Sequence, residues 1–449
     1  MLDPSLQPLS KIPSEEREAN VVARRAQTSA RVDSPADPGV WTPVERNLFR
    51  FISIYVVIYF FPVPEYFLPG AQWLSAAWGK LFLSATPWIC RTVLGVSCAA
   101  PTAVYANGDT AADYAALLLV ALTTVAIGTI WSTADRRATA YPRLYAAFRV
   151  YVRVLLAFLM LMYGVVKLFN GQFLSPSLHD LVAPLGELDP MGLMWTFMGY
   201  SKSYTFFCGT LETLSGVFLY FRRTTLLGAS LAAAVMTNVV VMDFSYHVPV
   251  RLFSMHILFL AIVLVAPDAG RLFDFFVRNR STTPSEEGRA IPARWRKVAF
   301  GAKMFLASWA LWQSTSSAVE QIQTWGDDTP KHPLFGIYDV EFFAANGEPV
   351  PPLTTDGRRW RRLIIDAHGR ASVVKMNDAR RGIACETKRK TCTLTETGAV
   401  KIEFGYERPE RDRLVMQGTV GDDALVIHLK RVDESNFPLL RAKFRWVNR

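Results

Sequence analysis

No Cys-x-x-Cys pair occurs in the 449 residues, which removes a thioredoxin-like dithiol site. The six histidines include no His-x-x-x-His spacing and no His/Cys cluster, so haem or metal ligation has no support. A Walker loop, a Gly-rich phosphate loop and a nucleophile elbow are also missing, which argues against a P-loop NTPase or an α/β-hydrolase. No apolar core with a small-residue cleavage site follows the start, so a cleavable signal peptide is not expected.

Long apolar runs are what the chain has instead. It is 51% hydrophobic and 12% aromatic, with a mean hydropathy of +0.17. A run of about 20 apolar residues crosses a hydrocarbon layer of roughly 30 Å, and several such runs predict a polytopic membrane protein with a soluble part. The net charge of +10 calls for no nucleic acid. Basic residues gather in the loops between apolar runs, as orientation in a bacterial inner membrane requires.

Residues 1–45 are polar and rich in Pro, Ser, Arg and Glu, and predict a disordered cytoplasmic tail. Residues 46–143 predict two spans, near 49–67 and 114–131, joined by an interfacial helix over 71–89 and an outer loop. Trp73, Trp78 and Trp88 favour the headgroup zone for that helix. Residues 144–280 predict a four-helix core with spans near 154–170, 203–221, 226–243 and 252–266. Residues 281–320 predict a basic cytoplasmic loop and a seventh span from about Val298 to Ala318. Seven crossings from a cytoplasmic N-terminus put residues 321–449 in the periplasm. There FGIYDVEFF, RRLIID, ASVVKM, KTCTLTE, VKIEF, RLVMQGTV, ALVIHLKR and AKFRWV alternate in polarity, with turn signals NGE, AHG and VGDD between them. Short alternating runs of this kind predict an antiparallel β-barrel or sandwich. The GIYDVEFF opening and the strand count make that domain lipocalin-like by analogy.

Cys90 and Cys98 fall in the first outer loop, and Cys385 and Cys392 flank a hairpin tip. Both pairs lie on the periplasmic side of this topology, where disulfides form. Cys208 stands alone in a span as a small packing residue.

Each span of the core carries polar residues that lipid-facing helices avoid. Lys167 ends the first, Glu212 sits in the second, Asn238 and Asp243 in the third, Arg251 and His256 in the fourth. Such groups cost several kcal/mol at membrane depth unless paired or wetted. At 1.5 Å rise per residue, Lys167 and Glu212 differ in depth by roughly 9 Å, a gap most of which a Lys side chain covers. Two readings stay open. One is a structural ion pair that locks two helices. The other is a proton or quinone site, with Lys167 as base or cation and Glu212 as partner or relay. In it Asn238, His256 and Tyr204 hydrogen-bond a carbonyl headgroup, alongside Tyr163 and Tyr246.

The residues from YGVVKLF through GTLETLSGVFLYFRRT to VPVRLF resemble the DoxX family of bacterial membrane proteins. More distantly, the chain is similar to the membrane part of vitamin K-dependent carboxylase-type proteins. The resemblance covers roughly residues 145–280, and Lys167 and Glu212 match the family's Lys and Glu positions. It implies a four-helix membrane unit, quinone as cofactor and a membrane or periplasmic redox partner, with membrane lipids as surroundings. His247 and Arg251 depart from the Asp and Lys expected around the Val-Pro-Val turn. The other class of function is non-enzymatic: a transporter or assembly protein whose β domain binds lipid or a periplasmic partner.

Overall fold

The computed structural model describes residues 40–61, 63, 70, 72–101, 108–283, 293–326, 329–396 and 401–441. The expected tail lies outside the described residues up to position 39, as does the last strand candidate, AKFRWV. The chain divides into two compact units, one formed by residues up to Ile58 with Val120–Phe148, the other by Tyr59–Leu119 with Arg149 onward.

The helices are α1 (Pro43–Phe60), α2 (Gln72–Phe82), α3 (Ala111–Ala134), α4 (Pro142–Leu168), α5 (Leu178–Leu181), α6 (Pro190–Tyr200), α7 (Lys202–Tyr220), α8 (Thr225–Ser245), α9 (Arg251–Val265), α10 (Ala269–Phe276) and α11 (Arg296–Trp325). Among the described residues, four helical segments are long and apolar enough to cross a membrane: Ala111–Ala134, Pro142–Leu168, Arg222–Ser245 and Arg251–Phe276. The other three expected spans are also helical, but charges interrupt them: Glu45, Arg46 and Arg50 in α1, Lys202 and Glu212 in α7, and Lys303 and Glu320 in α11. Four of the seven expected spans are thus long and apolar enough to cross a membrane among the described residues.

In the first unit, Trp41, Phe49, Trp131, Tyr141 and Tyr145 pack edge to face. Arg50 is buried among them. Its guanidinium lies 5.2 Å from the Tyr141 ring centroid and donates to the Asp135 carbonyl at 2.7 Å. A buried cation survives there because ring faces and a carbonyl replace its water.

In the second unit, small residues let helices approach. A Cβ on Gly164 would meet the Thr213 backbone nitrogen of α7 at 2.6 Å. One on Gly228 would meet the Leu219 nitrogen at 2.8 Å. So α7 is held between α4 and α8 at backbone contact, the packing that lipid-embedded helices favour. Cys90 and Cys98 are bonded, with Cα atoms 6.1 Å apart.

The C-terminal part is an antiparallel β-barrel. Strands β1 (Gly336–Ala345), β3 (Trp360–Ile365), β4 (Arg370–Lys375), β5 (Arg380–Lys388), β6 (Thr391–Glu396), β7 (Lys401–Glu410), β8 (Arg413–Val420) and β9 (Asp423–Arg431) pair in order, and β9 closes on β1. The two-residue β2 (Glu348–Pro349) hangs off β1 through the turn Asn346-Gly347, both at positive φ. That geometry is the reason an Asn-Gly pair works there. Alternation fills the interior: Leu363 and Ile365 of β3, Leu414 and Met416 of β8, and Leu425, Ile427 and Leu429 of β9 share one core with Trp360 and Phe404. Cys385 and Cys392 are buried in it and bonded across β5 and β6. The seven expected runs that fall among the described residues are all strands; β2 and β5 are additional.

The short helix α5, in the loop after α4, packs Leu178 against the outside of the barrel on Ile337, Ile364 and Val374. Beside this contact His179 Nδ1 lies 3.0 Å from the Ser372 hydroxyl oxygen. Burial holds the His179 imidazole below its ordinary value of 6.5; Asp366 and Asp180 pull it up and Arg370 pushes it down by less than burial does. The docked state therefore keeps His179 neutral where the undocked state is already protonated. Stability from this contact is present above about pH 6.5 and is lost as pH falls below it. Hydrogen exchange over 178–182, corrected for intrinsic rates, should be faster at pH 5.5 than at pH 7.5. Burial also lowers nearby His332, so His179→Gln isolates the effect: it should flatten the pH dependence in 178–182. Equal dependence in that variant would assign the effect elsewhere.

Candidate functional site

The buried stripe of α7 runs through Thr205, Gly209, Glu212, Gly216 and Leu219, at spacings of three and four. Glu212 thus faces the interior, and Gly209 admits α4 close enough for Lys167 to reach it. Lys167 Nζ lies 2.7 Å from Glu212 Oε2, with side chains 9% and 3% exposed. The ammonium also sits 5.8 Å from the Tyr163 ring centroid, one turn back on α4.

A second buried carboxylate lies on α8, the helix packed against α7 on the side away from α4. Asp243, near the end of α8, is buried, and the Ser254 hydroxyl of α9 donates to the Arg251 carbonyl of its own helix at 3.1 Å. The Asp243 Oδ2 is buried without a hydrogen-bond partner among the described residues. Asp109 caps α9 by accepting from the backbone nitrogens of Arg251 at 2.8 Å and Leu252 at 3.1 Å, and it pairs with Arg251 Nε at 3.0 Å. A carboxylate at a helix N-terminus satisfies amides that the helix leaves open. So an acid does stand beside the Val-Pro-Val turn, supplied from a loop 142 residues earlier. Neither Asp109 nor Ser254 was marked by sequence spacing; Gly-Asp-Thr at 108–110 reads only as a turn.

The other expected site residues diverge from this cluster. Asn238 is exposed, as is Tyr204, which packs against Phe197 and Phe207. His256 is buried, but its Nδ1 meets the Leu252 carbonyl of its own helix at 2.5 Å and its ring stacks on Tyr59 at 3.7 Å. Tyr246 packs with Met194, Met198 and Val248 near the loops. Chemically, the buried groups offer one cation, two carboxyl groups, a phenol and a hydroxyl in apolar surroundings. Among the described residues no group of three His, Cys, Asp or Glu is arranged to hold a metal ion.

Fold and site together define a helical protein with four helices long and apolar enough to cross a membrane, a buried ion pair between two helices and a C-terminal eight-stranded β-barrel. Over 124 residues the chain is 30% identical to the uncharacterized protein YwoB of Bacillus subtilis (strain 168), a match spanning 28% of this chain and 79% of that protein. The chain belongs to the family of YwoB. No family model matches it, and no solved structure does.

Proposed function

We propose that the protein is a DoxX-type membrane protein of the bacterial inner membrane in which Lys167, Glu212 and Asp243 handle protons for quinone-linked redox chemistry. The observations that carry this reading are Asp243 Oδ2, buried on α8 with no hydrogen-bond partner among the described residues, and the closed Lys167–Glu212 pair on the adjoining helices. A buried carboxyl group with an open position is suited to hold a proton or to bond a carbonyl oxygen. Glu212 Oε2 accepts from Lys167 Nζ, and Tyr163 provides a ring face and a phenol beside them. A quinone takes up two electrons, from a membrane or periplasmic redox partner, and two protons, which the carboxyl groups relay.

In this reading α1, α7 and α11 also cross the bilayer, giving seven spans with a cytoplasmic N-terminus and a periplasmic barrel. Two features support it. Pairing of Lys167 with Glu212 cancels most of the cost of burying α7, which is packed between two membrane-length helices. The basic stretches of sequence at 136–153 and 268–298 support a cytoplasmic placement of both by the positive-inside rule.

The test is retention of menaquinone and ubiquinone by full-length protein in nanodiscs, measured by extraction and mass spectrometry. Wild type should retain a stoichiometric quinone, and Glu212→Gln and Asp243→Asn should each lose it while eluting as folded protein. Wild type without quinone above a control membrane protein, or both variants retaining it in full, would sink the proposal. The non-enzymatic reading, a transporter or assembly protein, draws on the apolar barrel interior and takes over in that case.

A further inference from the structure

A cavity of about 830 Å³ lies away from the Lys167 cluster, between the loops that follow α4 and α6 and the end of the barrel nearest α11. Its size falls in the range of small-molecule sites, roughly 300–1,000 Å³. Four rings line it: Trp195, Tyr200, Trp325 and Phe335. Hydroxyl groups of Ser177, Thr196, Ser201 and Ser203 add a polar wall.

The charge of the lining decides what it takes. Among the described residues, each carboxylate of the lining is hydrogen-bonded within the protein. Asp180 Oδ2 accepts from the Ser177 hydroxyl at 2.6 Å and the Ser177 nitrogen at 3.1 Å. Asp366 accepts from the backbone nitrogens of His368 and Arg370, both at 2.9 Å, and from Arg370 Nε at 2.6 Å. Glu434 accepts from Arg431 at 3.0 Å. Among the cations, Lys331 is exposed, with its ammonium 4.7 Å from the Phe335 ring centroid, and the Arg370 guanidinium, paired through Nε with Asp366, lies 5.4 Å from the Trp325 ring centroid. Lys202 opens α7 at the cavity wall, and the 19-residue α7 turns its positive end there. Cations, a helix N-terminus and hydroxyls favour a phosphate, while indole and phenol rings suit the zone where headgroup meets acyl chain.

We infer that this cavity binds a glycerophosphate-type anionic headgroup, with the phosphate held by Lys331, Lys202 and the start of α7 and the remainder packed on Trp195 and Trp325. The headgroup belongs either to a membrane phospholipid or to a soluble phosphomonoester, which carry the same phosphate chemistry. This site does not depend on the proposed quinone chemistry, since it shares no residue with the Lys167 cluster.

The experiment uses full-length protein in phosphatidylcholine nanodiscs containing a minor fraction of phosphatidylglycerol. Native mass spectrometry counts retained lipids, and hydrogen exchange follows 195–203 and 329–335 with and without millimolar glycerol 1-phosphate. Wild type should retain phosphatidylglycerol over phosphatidylcholine, and Lys202→Ala/Lys331→Ala should reduce that retention about tenfold, on the order expected for losing two phosphate contacts. Ser203→Trp, which fills the cavity and keeps both lysines, should do the same, so a folding defect in one variant leaves the other as a test. Retention that glycerol 1-phosphate does not displace assigns a lipid. Displacement or protection by glycerol 1-phosphate supports the site and assigns a soluble phosphate. Equal retention of both lipids with no protection by glycerol 1-phosphate, or wild-type retention in both variants, overturns the inference.

Discussion

Glu212→Ala should lower the stability of the membrane unit by about 3–5 kcal/mol, the usual result of stranding one charge of a buried pair. Lys167→Met should cost a similar amount from the other side. The double variant Lys167→Met/Glu212→Leu should sit closer to wild type than either single change. The reason is asymmetry. A polar contact between lipid-embedded helices adds only about 0.6 kcal/mol on average, so the pair itself stabilises little. Removing one member leaves a charge that is under a tenth exposed, and its burial limits how far solvent can replace the partner. Reversible unfolding of full-length protein in mixed detergent micelles, followed by hydrogen exchange in α4 and α7, gives the three values. Single changes that cost under about 1 kcal/mol and add in the double variant would show that the two groups do not depend on each other.

That pair was legible in the sequence because one number fixed it. The helical rise put Lys167 and Glu212 within reach, and an antiparallel neighbour was the natural partner. Rotation about the helix axis decided the rest. Asn238 and Asp243 are five residues apart, which turns them about 140° from one another on α8; with Asp243 inside, Asn238 is outside. Tyr204 precedes Thr205, the first residue of the buried stripe of α7, by one position and so about 100°. Depth was readable and phase was not used. Asp109 required more than phase: its contact with Arg251 closes a long stretch of chain, and nothing local marks the partner. In the barrel, strands with strict alternation announced themselves. β5 did not, because its Arg380, Arg381 and Gly382 are exposed and only Cys385 in it is buried; its place comes from pairing with β4 and β6.

The spacing between α4 and α7 is set by glycine, and Gly209→Ala tests it. A Cβ at 209 would lie 2.8 Å from the Gly164 carbonyl oxygen, the Leu168 backbone nitrogen and the Lys167 Cβ. Two of these atoms belong to the α4 backbone and cannot rotate away, so the helices must separate. On an open helix face the same substitution gains up to about 1 kcal/mol from helix propensity. Overpacking costs about 1–3 kcal/mol and exceeds that gain, so the sign reverses. Gly301 in α11 is the control, since a Cβ there meets nothing within 4 Å; Gly301→Ala should be neutral or stabilising. Separation also stretches the 2.7 Å contact between Lys167 and Glu212, so Gly209→Ala should make the further change Glu212→Ala less costly than it is in wild type. If Gly209→Ala matches Gly301→Ala in unfolding midpoint, α4 and α7 are not in backbone contact, and the burial that gives the ion pair its character is lost with it.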